Sequence, residues 1–408
     1  MTARFHPIAS LADLRHEFGE HGGVNMSIET STTFTVLDPG VMPEIFAGRR
    51  GPEHGGCYLY GRHFNPTTYV LGKELAALEG TEAGYPTASG MAAVVCTVMQ
   101  LCDHGDHIVS SGAVYGGTHA FLDELLPRKS GVSTTFVDIT DHAAVGAAFT
   151  DRTRLLYAET ISNPTLAVAD IAALADIAHR HGAKLVVDNT FAPLVVSPAQ
   201  LGADVVIHSL TKFISGASDI IGGAVCGSAD FVGSLMDLHV GTLMLLGPTM
   251  DPRVAFQLSM RLPHLGLRVA EHSRRAKVFA ERMRDLGLLV IYPGLEEHPQ
   301  HALLARQAHP DYGFGGLLCL DLGTVEKANQ VMEALQNEDR FGYIAVSLGY
   351  HNTLMSCSSA STSSELTPEQ QAEAGISPGL LRMSVGYTGR LEQRWAQLED
   401  GLRSAGLI

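Results

Sequence analysis

Two short stretches decide the fold of this chain: KLVVDNT at residues 184–190 and VVIHSLTK at residues 205–212. Each holds an apolar run of strand length that is followed by polar side chains. Near-continuous apolar strands of this kind are typical of parallel sheets whose two faces are both covered by helices. Because ligands bind beyond the carboxyl ends of such strands, we expect Asp188 and Lys212 to meet at one edge of the sheet.

The same pattern extends through the middle of the chain. Apolar runs predict further strands at residues 107–110, 135–137 and 155–158. Residues 170–182 carry apolar side chains at helical spacing, which predicts an amphipathic helix between two of the strands. Right-handed crossovers then give an α/β domain with a large, doubly wound and mostly parallel sheet.

The last third of the chain predicts a smaller α/β domain. Apolar runs predict its strands at residues 317–320, 344–346 and 381–383. A long helical pattern that runs from Val254 to Leu286 would connect the two domains. Residues 391–402 predict a closing amphipathic helix.

Length and composition limit the kind of protein further. Since 408 residues exceed what one hydrophobic core usually serves, we expect two domains, at residues 66–262 and 263–408, after an extended arm at residues 1–65. A net charge of −15 without a basic run leads us to expect neither nucleic acid nor a membrane as a partner. The N-terminus has no apolar signal core and the six cysteines are scattered, so we expect a cytoplasmic protein.

Three pairs of histidines raise the question of a metal site. No matching set of acidic residues or cysteines accompanies them, so we interpret them as solvated side chains and expect no metal. The pairs are His104 and His107, His179 and His181, and His298 and His301.

The pairing of Asp188 with Lys212 indicates pyridoxal phosphate. The amine of Lys212 can bond to the aldehyde of that cofactor, and the neighbouring hydroxyl residues Ser209 and Thr211 can bind its phosphate. Asp188 leaves a buried strand and can keep the pyridine nitrogen protonated, so that the ring accepts electrons from a carbanion. Lys212 alone would be better interpreted as a surface lysine, and it is the aspartate at this spacing that favours the cofactor.

A third element of the predicted site is Ser89-Gly90-Met91, which opens an apolar helical stretch. A phosphate at a helix N-terminus meets unpaired N–H groups and the positive end of the helix dipole. Gly90 would let the backbone approach that phosphate closely. Taken alone, these three residues are better interpreted as an ordinary N-cap.

Further motifs accompany these segments along the chain. They are YGRHFNPT at 60–67, YGGT at 115–118, ETISNP at 159–164, SLG at 347–349 and LRMSVG at 381–386. With them the chain resembles the cysteine/methionine-metabolism family of pyridoxal-phosphate enzymes, from about Ile28 to the C-terminus. That family includes cystathionine gamma-synthase, cystathionine gamma-lyase, methionine gamma-lyase and the acylhomoserine sulfhydrylases. The resemblance implies fold type I, the fold of aspartate aminotransferase.

The resemblance also implies how the cofactor is held. The backbone amides of Gly90 and Met91 would bind the phosphate, and Tyr60 and Arg62 would reach it from a neighbouring subunit. It therefore implies a homo-oligomer, a tetramer built as a dimer of dimers, in which each site needs two chains. From the residues alone, Arg62 is better interpreted as a surface arginine on a flexible arm.

Residues around the substrate follow from the same resemblance. Tyr115 would stack on the cofactor ring and assist the leaving group, and Asn163 would hydrogen-bond the ring oxygen. Arg382 would bind the substrate carboxylate with support from Ser347. From the residues alone, a core tyrosine, a turn asparagine and a structural ion pair stay open as alternatives.

Residues 243–250, 292–295 and 347–357 are similar to methionine gamma-lyases of the plant type. This similarity implies α,γ-elimination on a small sulfur amino acid, with methionine giving methanethiol, ammonia and 2-oxobutanoate. Neutral Asn352 stands where many family members have an acidic residue, and we expect it to bind the distal end of the substrate. Cleavage of cystathionine, γ-replacement on an O-acylhomoserine, and a non-catalytic binding protein on the same fold stay open as alternatives.

Overall fold

The computed structural model describes residues 4–15, 19, 21–53, 57–361 and 367–408, and two β-sheets organise this part of the chain. The larger sheet has seven strands and the smaller sheet has five. The strands of the larger sheet are β1 (Ala83–Thr87), β2 (His107–Ser111), β3 (Ser133–Val137), β4 (Thr153–Glu159), β5 (Lys184–Asp188), β6 (Val205–Ser209) and β7 (Gly223–Gly227).

The larger sheet has the strand order β1-β7-β6-β5-β4-β2-β3. Strands β2 to β6 are parallel, whereas β7 pairs antiparallel with both β6 and β1. Alternate residues face two separate apolar cores, with Val186 of β5 in one and Leu185 and Val187 in the other. The predicted doubly wound, mostly parallel sheet with two buried faces is therefore confirmed.

Helices cover both faces of this sheet. Leu71 and Leu75 of the helix at residues 66–79 pack in one core, and Val94 and Val98 of the helix at residues 90–101 pack in the other. The helices up to the second sheet are α1 (Pro7–Leu14), α2 (Met42–Phe46), α3 (Pro66–Glu79), α4 (Gly90–Leu101), α5 (Gly116–Ala120), α6 (Leu126–Ser130), α7 (His142–Ala147), α8 (Ile171–Arg180), α9 (Ala229–Leu235), α10 (Thr242–Leu246), α11 (Pro252–Arg261) and α12 (Leu265–Asp285).

The smaller sheet is mostly antiparallel. Its strands are β8 (Val290–Ile291), β9 (Leu317–Asp321), β10 (Gly342–Ile344), β11 (Thr353–Cys357) and β12 (Leu380–Ser384), in the order β10-β11-β12-β9-β8. Phe279 and Met283 of α12 pack with Leu318 and Leu381 in its core. The remaining helices are α13 (His301–Gln307), α14 (Val325–Glu333), α15 (Pro368–Glu373) and α16 (Leu391–Ser404).

Local sequence explains where the helices begin and end. Asn65 caps α3 by accepting backbone N–H bonds, Pro66 occupies the first turn, and Gly80 ends the helix with a φ of 68°. The predicted helix at residues 170–182 is confirmed as α8, with Asp170 as its N-cap and its apolar face buried. Such caps satisfy backbone groups that the helix itself leaves unpaired.

Strands β1 and β7 are not evident from the sequence pattern, because AGYPT and GAVCG contain glycine and proline, which weaken strand propensity. One of these glycines has a packing reason. A Cβ on Gly72 of α3 would overlap with the carbonyl oxygen of Gly84 in β1. Helix and strand approach closely here only because both residues lack a side chain.

Two predictions in the last third need correction. The helical pattern from Val254 to Leu286 is divided into α11 and α12, since Pro263 interrupts it. The strand expected at residues 344–346 lies at 342–344, because the chain leaves the sheet before Ser347, whose φ is 89°.

The segment before α3 leaves large apolar side chains at the surface. Val24, Leu37 and Phe46 are all exposed. An isolated bridge between Thr33 and Tyr60 connects two parts of this segment. In the described ranges, none of the helices has the length and apolar content that crossing a bilayer requires.

Candidate active site

The carboxyl ends of β4, β5 and β6 open into a cavity of about 440 Å³. Asp188 ends β5, Lys212 follows β6, and Arg382 reaches the same cavity from β12 of the smaller sheet. The structure brings together these predicted residues: Ser89, Gly90, Met91, Tyr115, Asn163, Asp188, Ser209, Thr211, Lys212, Ser347 and Arg382.

Lys212 lies in the buried part of this cavity. Its Nζ donates a hydrogen bond to the Oγ of Ser347 at 2.8 Å. Burial, together with the positive charge of Arg382, lowers the pKa of Lys212 to about 8. A sizeable fraction of this amine is therefore neutral close to neutral pH, as a lysine that acts as nucleophile or proton carrier requires.

The carboxylate of Asp188 is held by neutral groups. Its Oδ1 accepts the backbone N–H of Thr190 at 2.9 Å, and its Oδ2 accepts the hydroxyl of Tyr157 at 3.5 Å. Burial raises the pKa of Asp188 because the charged form loses its hydration. A protonated ring nitrogen placed against this carboxylate would stabilise the charge that burial disfavours.

Helix α4 presents its N-terminus to the cavity. Ser89 caps the helix through its side chain, and the first N–H groups, including those of Gly90 and Met91, have no partner within the helix. A Cβ on Gly90 would lie 2.8 Å from the Cβ of Ser209, so only glycine allows this close approach. The helix end, with Ser209 and Thr211 beside it, forms a cradle that suits a phosphate.

Arg382 is only 2% exposed and is bonded to neutral acceptors. Its Nη1 donates to the Oδ1 of Asn163 at 2.9 Å, and its Nη2 donates to the carbonyl of Ser347 at 3.1 Å. Ser347 has a φ of 89°, a region that non-glycine residues rarely adopt. In this conformation its carbonyl meets Arg382 while its hydroxyl meets Lys212.

Glu159 also lines the cavity, although it is absent from the predicted set. Its Oε1 accepts the backbone N–H of Tyr115 at 2.7 Å, and its Oε2 accepts that of Asn163 at 2.8 Å. Burial raises the pKa of Glu159, and the neighbouring charge of Asp188 raises it further. An acidic residue at the carboxyl end of a buried strand is the sequence signal that points to it.

Tyr60 and Arg62 do not reach the cavity of their own chain. The Nη1 of Arg62 donates to the carbonyl of Met244 at 2.9 Å, which places it beside α10. Tyr60 is exposed, and the guanidinium of Arg62 lies 5.7 Å from the centroid of its ring.

Asn352 does not line the cavity either, contrary to our expectation. Its Oδ1 accepts hydrogen bonds from the hydroxyl of Thr388 and from Arg394. These bonds hold the neutral side chain of Asn352 against Thr388 and Arg394.

His107 differs most from the interpretation of the paired histidines as solvated side chains. His107 is buried at the start of β2, where its ring nitrogens are 2.8 Å from the hydroxyls of Thr153 and Thr135. Burial lowers the pKa of His107. It is thus a core histidine with satisfied nitrogens.

A different group, formed by His6, His309 and Asp311, has ligand atoms close enough together to consider a metal. The Nδ1 of His6 accepts the backbone N–H of Ala9, and the Nδ1 of His309 accepts that of Asp311. In the neutral rings the hydrogen therefore resides on Nε2, which then cannot bind a metal. The Nε2 of His6 lies 3.4 Å from the carboxylate of Asp311, as a donor would.

Residues 11–402 match the family described as Cys/Met metabolism PLP-dependent enzymes. This chain belongs to that family. This chain is 61% identical over 394 residues to a methionine gamma-lyase of Arabidopsis thaliana. The matched region covers 96% of this chain and 89% of that protein.

Solved structures support the same family. A Campylobacter jejuni structure that contains N′-pyridoxyl-lysine-5′-monophosphate has a TM-score of 0.89 and 26% identity, over 98% of this chain and 100% of that chain. A cystathionine gamma synthase from Xanthomonas oryzae pv. oryzae in complex with cystathionine has a TM-score of 0.87 and 32% identity, over 100% of both chains.

Family membership confirms pyridoxal phosphate as the cofactor and fold type I as the fold class. The side chains that line the cavity fit that cofactor. Lys212 offers an amine of lowered pKa, Asp188 offers a buried carboxylate, and the end of α4 offers an anion cradle that a Cβ at Gly90 would fill.

Proposed function

We propose that this protein is a methionine gamma-lyase, a carbon–sulfur lyase that converts methionine to methanethiol, ammonia and 2-oxobutanoate. The observation that carries the proposal is the mouth of the cavity. Ile221 and Val346 line it and are 70% and 61% exposed. Among the described residues that line the cavity, the charged groups, which include Lys212 and Arg382, lie in its buried part, so Ile221 and Val346 offer a thioether an apolar and uncharged surface.

The 61% identity to the Arabidopsis thaliana methionine gamma-lyase supports the same reaction. Cystathionine carries a second ammonium and carboxylate at its distal end, and such groups need charged or hydrogen-bonding partners. Neither Ile221 nor Val346 supplies one. The terminal methyl group of methionine needs none, and its burial against these side chains is favourable.

Bound pyridoxal phosphate supplies an electron sink that stabilises negative charge on the substrate carbons. In this proposal Arg382 binds the substrate carboxylate through its guanidinium fork, and Asn163 holds that fork in place. The amine of Lys212 takes the α-proton and moves protons between neighbouring carbons. The hydroxyl of Tyr115, whose ring is partly exposed in the cavity, donates a proton to the departing sulfur.

The experiment that tests this proposal compares four substrates. The purified holoenzyme is incubated separately with methionine, cystathionine, homocysteine and O-acetylhomoserine, the last with and without an added thiol, and 2-oxobutanoate and the replacement product are measured. We expect methionine to have the highest kcat/KM. Faster cleavage of cystathionine, or faster replacement on O-acetylhomoserine, would overturn the assignment. A protein that stays colourless with added cofactor would indicate a non-catalytic binding protein.

We propose further that Tyr60 and Arg62 complete the site of a second copy of the chain, in a homotetramer built as a dimer of dimers. Arg62 lies outside its own cavity beside α10, where Leu245 and Leu246 are exposed. Exposed apolar side chains beside an arginine suit an interface in which the guanidinium meets a phosphate. A cytoplasmic location is part of this proposal and rests on the scattered cysteines.

Mixing two inactive variants tests the shared site. In a dimer of one Arg62→Ala chain and one Lys212→Ala chain, one of the two sites keeps both residues. We expect activity to reappear when the variants exchange subunits, and size measurements to give the mass of a tetramer. Hybrids that form but stay as inactive as either parent would contradict the shared site.

A further inference from the structure

A buried arginine holds the segment that carries Lys212. Arg268 of α12 donates from Nη1 to the carbonyl of Phe213 at 2.5 Å and from Nη2 to the carbonyl of Ile214 at 2.8 Å. These carbonyls belong to the two residues that follow Lys212. Arg268 is 8% exposed, and burial lowers its pKa to about 10.

The same helix carries a matched arginine two turns later. Arg275 donates from Nη1 to the carbonyl of Thr388 at 2.9 Å and from Nη2 to that of Gly389 at 2.7 Å. Its Nε pairs with the carboxylate of Glu271 at 2.7 Å. In contrast, the Nε of Arg268 donates to a histidine, and its hydrogen bonds within the described residues all go to neutral acceptors. Burial of a guanidinium without a carboxylate partner costs free energy. Among the residues that the structure describes, Arg275 has such a partner and Arg268 does not, so the burial of Arg268 needs an explanation of its own.

One turn after Arg268, His272 connects α12 to the strand that carries Arg382. Its Nδ1 donates to the carbonyl of Val385 at 2.5 Å, three residues after Arg382. The ring of His272 is fully buried and packs edge-on against Phe213 at 5.1 Å and Tyr387 at 4.9 Å. A single face of α12 therefore contacts the lysine segment and the end of the arginine strand.

The backbone around these contacts leaves no room for side chains. Gly216 has a φ of 74°, and a Cβ on it would overlap with the Nη1 of Arg268. A Cβ on Gly316 would lie 2.8 Å from the Cβ of His272. Both contacts depend on glycine, so any side chain at either position displaces α12 from the lysine segment or from the smaller sheet.

We propose that Arg268 and His272 are positioning residues that fix Lys212 and Arg382 at the separation the reaction needs. The inference rests on the proposed function for the roles of Lys212 and Arg382. Lys212 must reach the α-carbon of the substrate while Arg382 holds the substrate carboxylate. The two side chains therefore need to be fixed relative to each other by one element of the fold. Helix α12 is that element: Arg268 orders the lysine segment, and His272 ties the arginine strand to the same helix.

The first experiment needs no substrate. The cofactor is removed, and the rate at which the apo-enzyme recaptures added pyridoxal phosphate is followed by the visible absorbance of the bound form. We expect Arg268→Met to slow capture by about tenfold or more, because small misplacements of a reacting group have effects of this size. Arg268→Lys should restore most of the rate. The matched control Arg275→Met should lose thermal stability yet capture cofactor within about twofold of the unmodified protein.

The second experiment separates the two positioning residues with methionine as substrate. His272→Phe removes the donor to Val385 and should raise KM about fivefold with a smaller change in kcat, since it acts through Arg382. His272→Gln keeps an amide donor and should restore KM. Arg268→Met should instead lower kcat more than it raises KM, since it acts through Lys212.

Equal slowing of capture by Arg268→Met and Arg275→Met, or no rescue by Arg268→Lys, would show that the contact only stabilises the fold, and the proposal would be wrong. Should Arg268→Met not fold, Arg268→Gln and Arg275→Gln are compared instead. Equal rates of cofactor capture by these two variants would again overturn the proposal. If capture changes as expected while methionine is not degraded, the positioning of Lys212 stands and the proposed substrate fails.

Discussion

The buried part and the mouth of the cavity differ in how their side chains are held. Lys212 and Arg382 are each bonded to Ser347, and Glu159 ties the backbones of Tyr115 and Asn163 together. At the mouth, Val346 is exposed and offers only apolar contact. On the proposed function, we expect the steps common to every amino-acid substrate to take place in the fixed part and the choice among substrates to be made at the mouth.

Replacing Lys212 should have the largest effect if the fixed part carries the chemistry. Lys212→Ala should keep the fold and lower kcat by about 10³-fold or more with every substrate, because the group that moves protons is gone. The measurement is kcat with methionine and cystathionine, together with borohydride reduction, which should label Lys212 in the unmodified protein. Ser347→Ala, which removes only the hydroxyl that accepts from Lys212, is the control and should lose far less. Labelling of another lysine would contradict the assignment.

Replacing Arg382 should have the next largest effect. Arg382→Ala should raise KM by about 10²-fold for all amino-acid substrates alike, since removal of one partner of a buried charge pair costs about 2–5 kcal/mol. Steady-state kinetics with each substrate provide the measurement. A large effect on one substrate with little on another would show that Arg382 reads the side chain, and the division between the two parts would fail.

The lowered pKa of Lys212 gives a pH dependence that is specific to the buried part. Only the neutral amine is a nucleophile, so cofactor capture by the apo-enzyme should rise with pH through about 8 and level off above it. Between pH 7 and pH 9 the increase should be about tenfold. Arg382→Gln removes the second cause of the lowered pKa and should move the midpoint to higher pH. A midpoint near that of free lysine would mean that burial does not act on this amine.

The smallest effect concerns the mouth. Val346→Glu introduces a carboxylate that the distal ammonium of cystathionine can pair with, and it should shift the ratio of kcat/KM for cystathionine over methionine by about fivefold, as exposed ion pairs do. Asn352→Glu is the matched control, because Asn352 lies outside the cavity and its side chain meets Thr388 and Arg394. A larger shift from Asn352→Glu than from Val346→Glu would place the substrate's distal end elsewhere.

The central strands could be predicted because their continuous apolar sequence indicates burial on both faces of the sheet. In β5 and β6 successive apolar residues face two buried cores, and the polar residues begin where the strands end. That pattern located Asp188 and Lys212 together. Strand β7 lies between β6 and β1 in the same sheet and was missed, because GAVCG has a glycine at each end, which weakens its strand propensity.

The residues of the site could be predicted only where they belong to a sequence motif, because a motif does not show which distant residues are in contact. The substrate contact expected of Asn352 stays a prediction, since its side chain is bonded to Thr388 and Arg394 and does not line the cavity of this chain. Glu159 was overlooked because its contacts to the backbone N–H groups of Tyr115 and Asn163 follow no motif spacing, and only its place at the carboxyl end of a buried strand points to it. The contacts of Arg268 join residues 55 positions apart, which a reading of local segments does not reveal.

Ser347 has a consequence for how this enzyme can be altered by selection. Its left-handed backbone favours glycine, asparagine or aspartate, none of which carries the hydroxyl that accepts from Lys212. Its neighbour Val346 has ordinary geometry and an exposed side chain. A saturation library over this loop, screened for new substrates, should therefore return many residues at position 346 and few at 347. The adaptable and the constrained positions of the loop stand side by side.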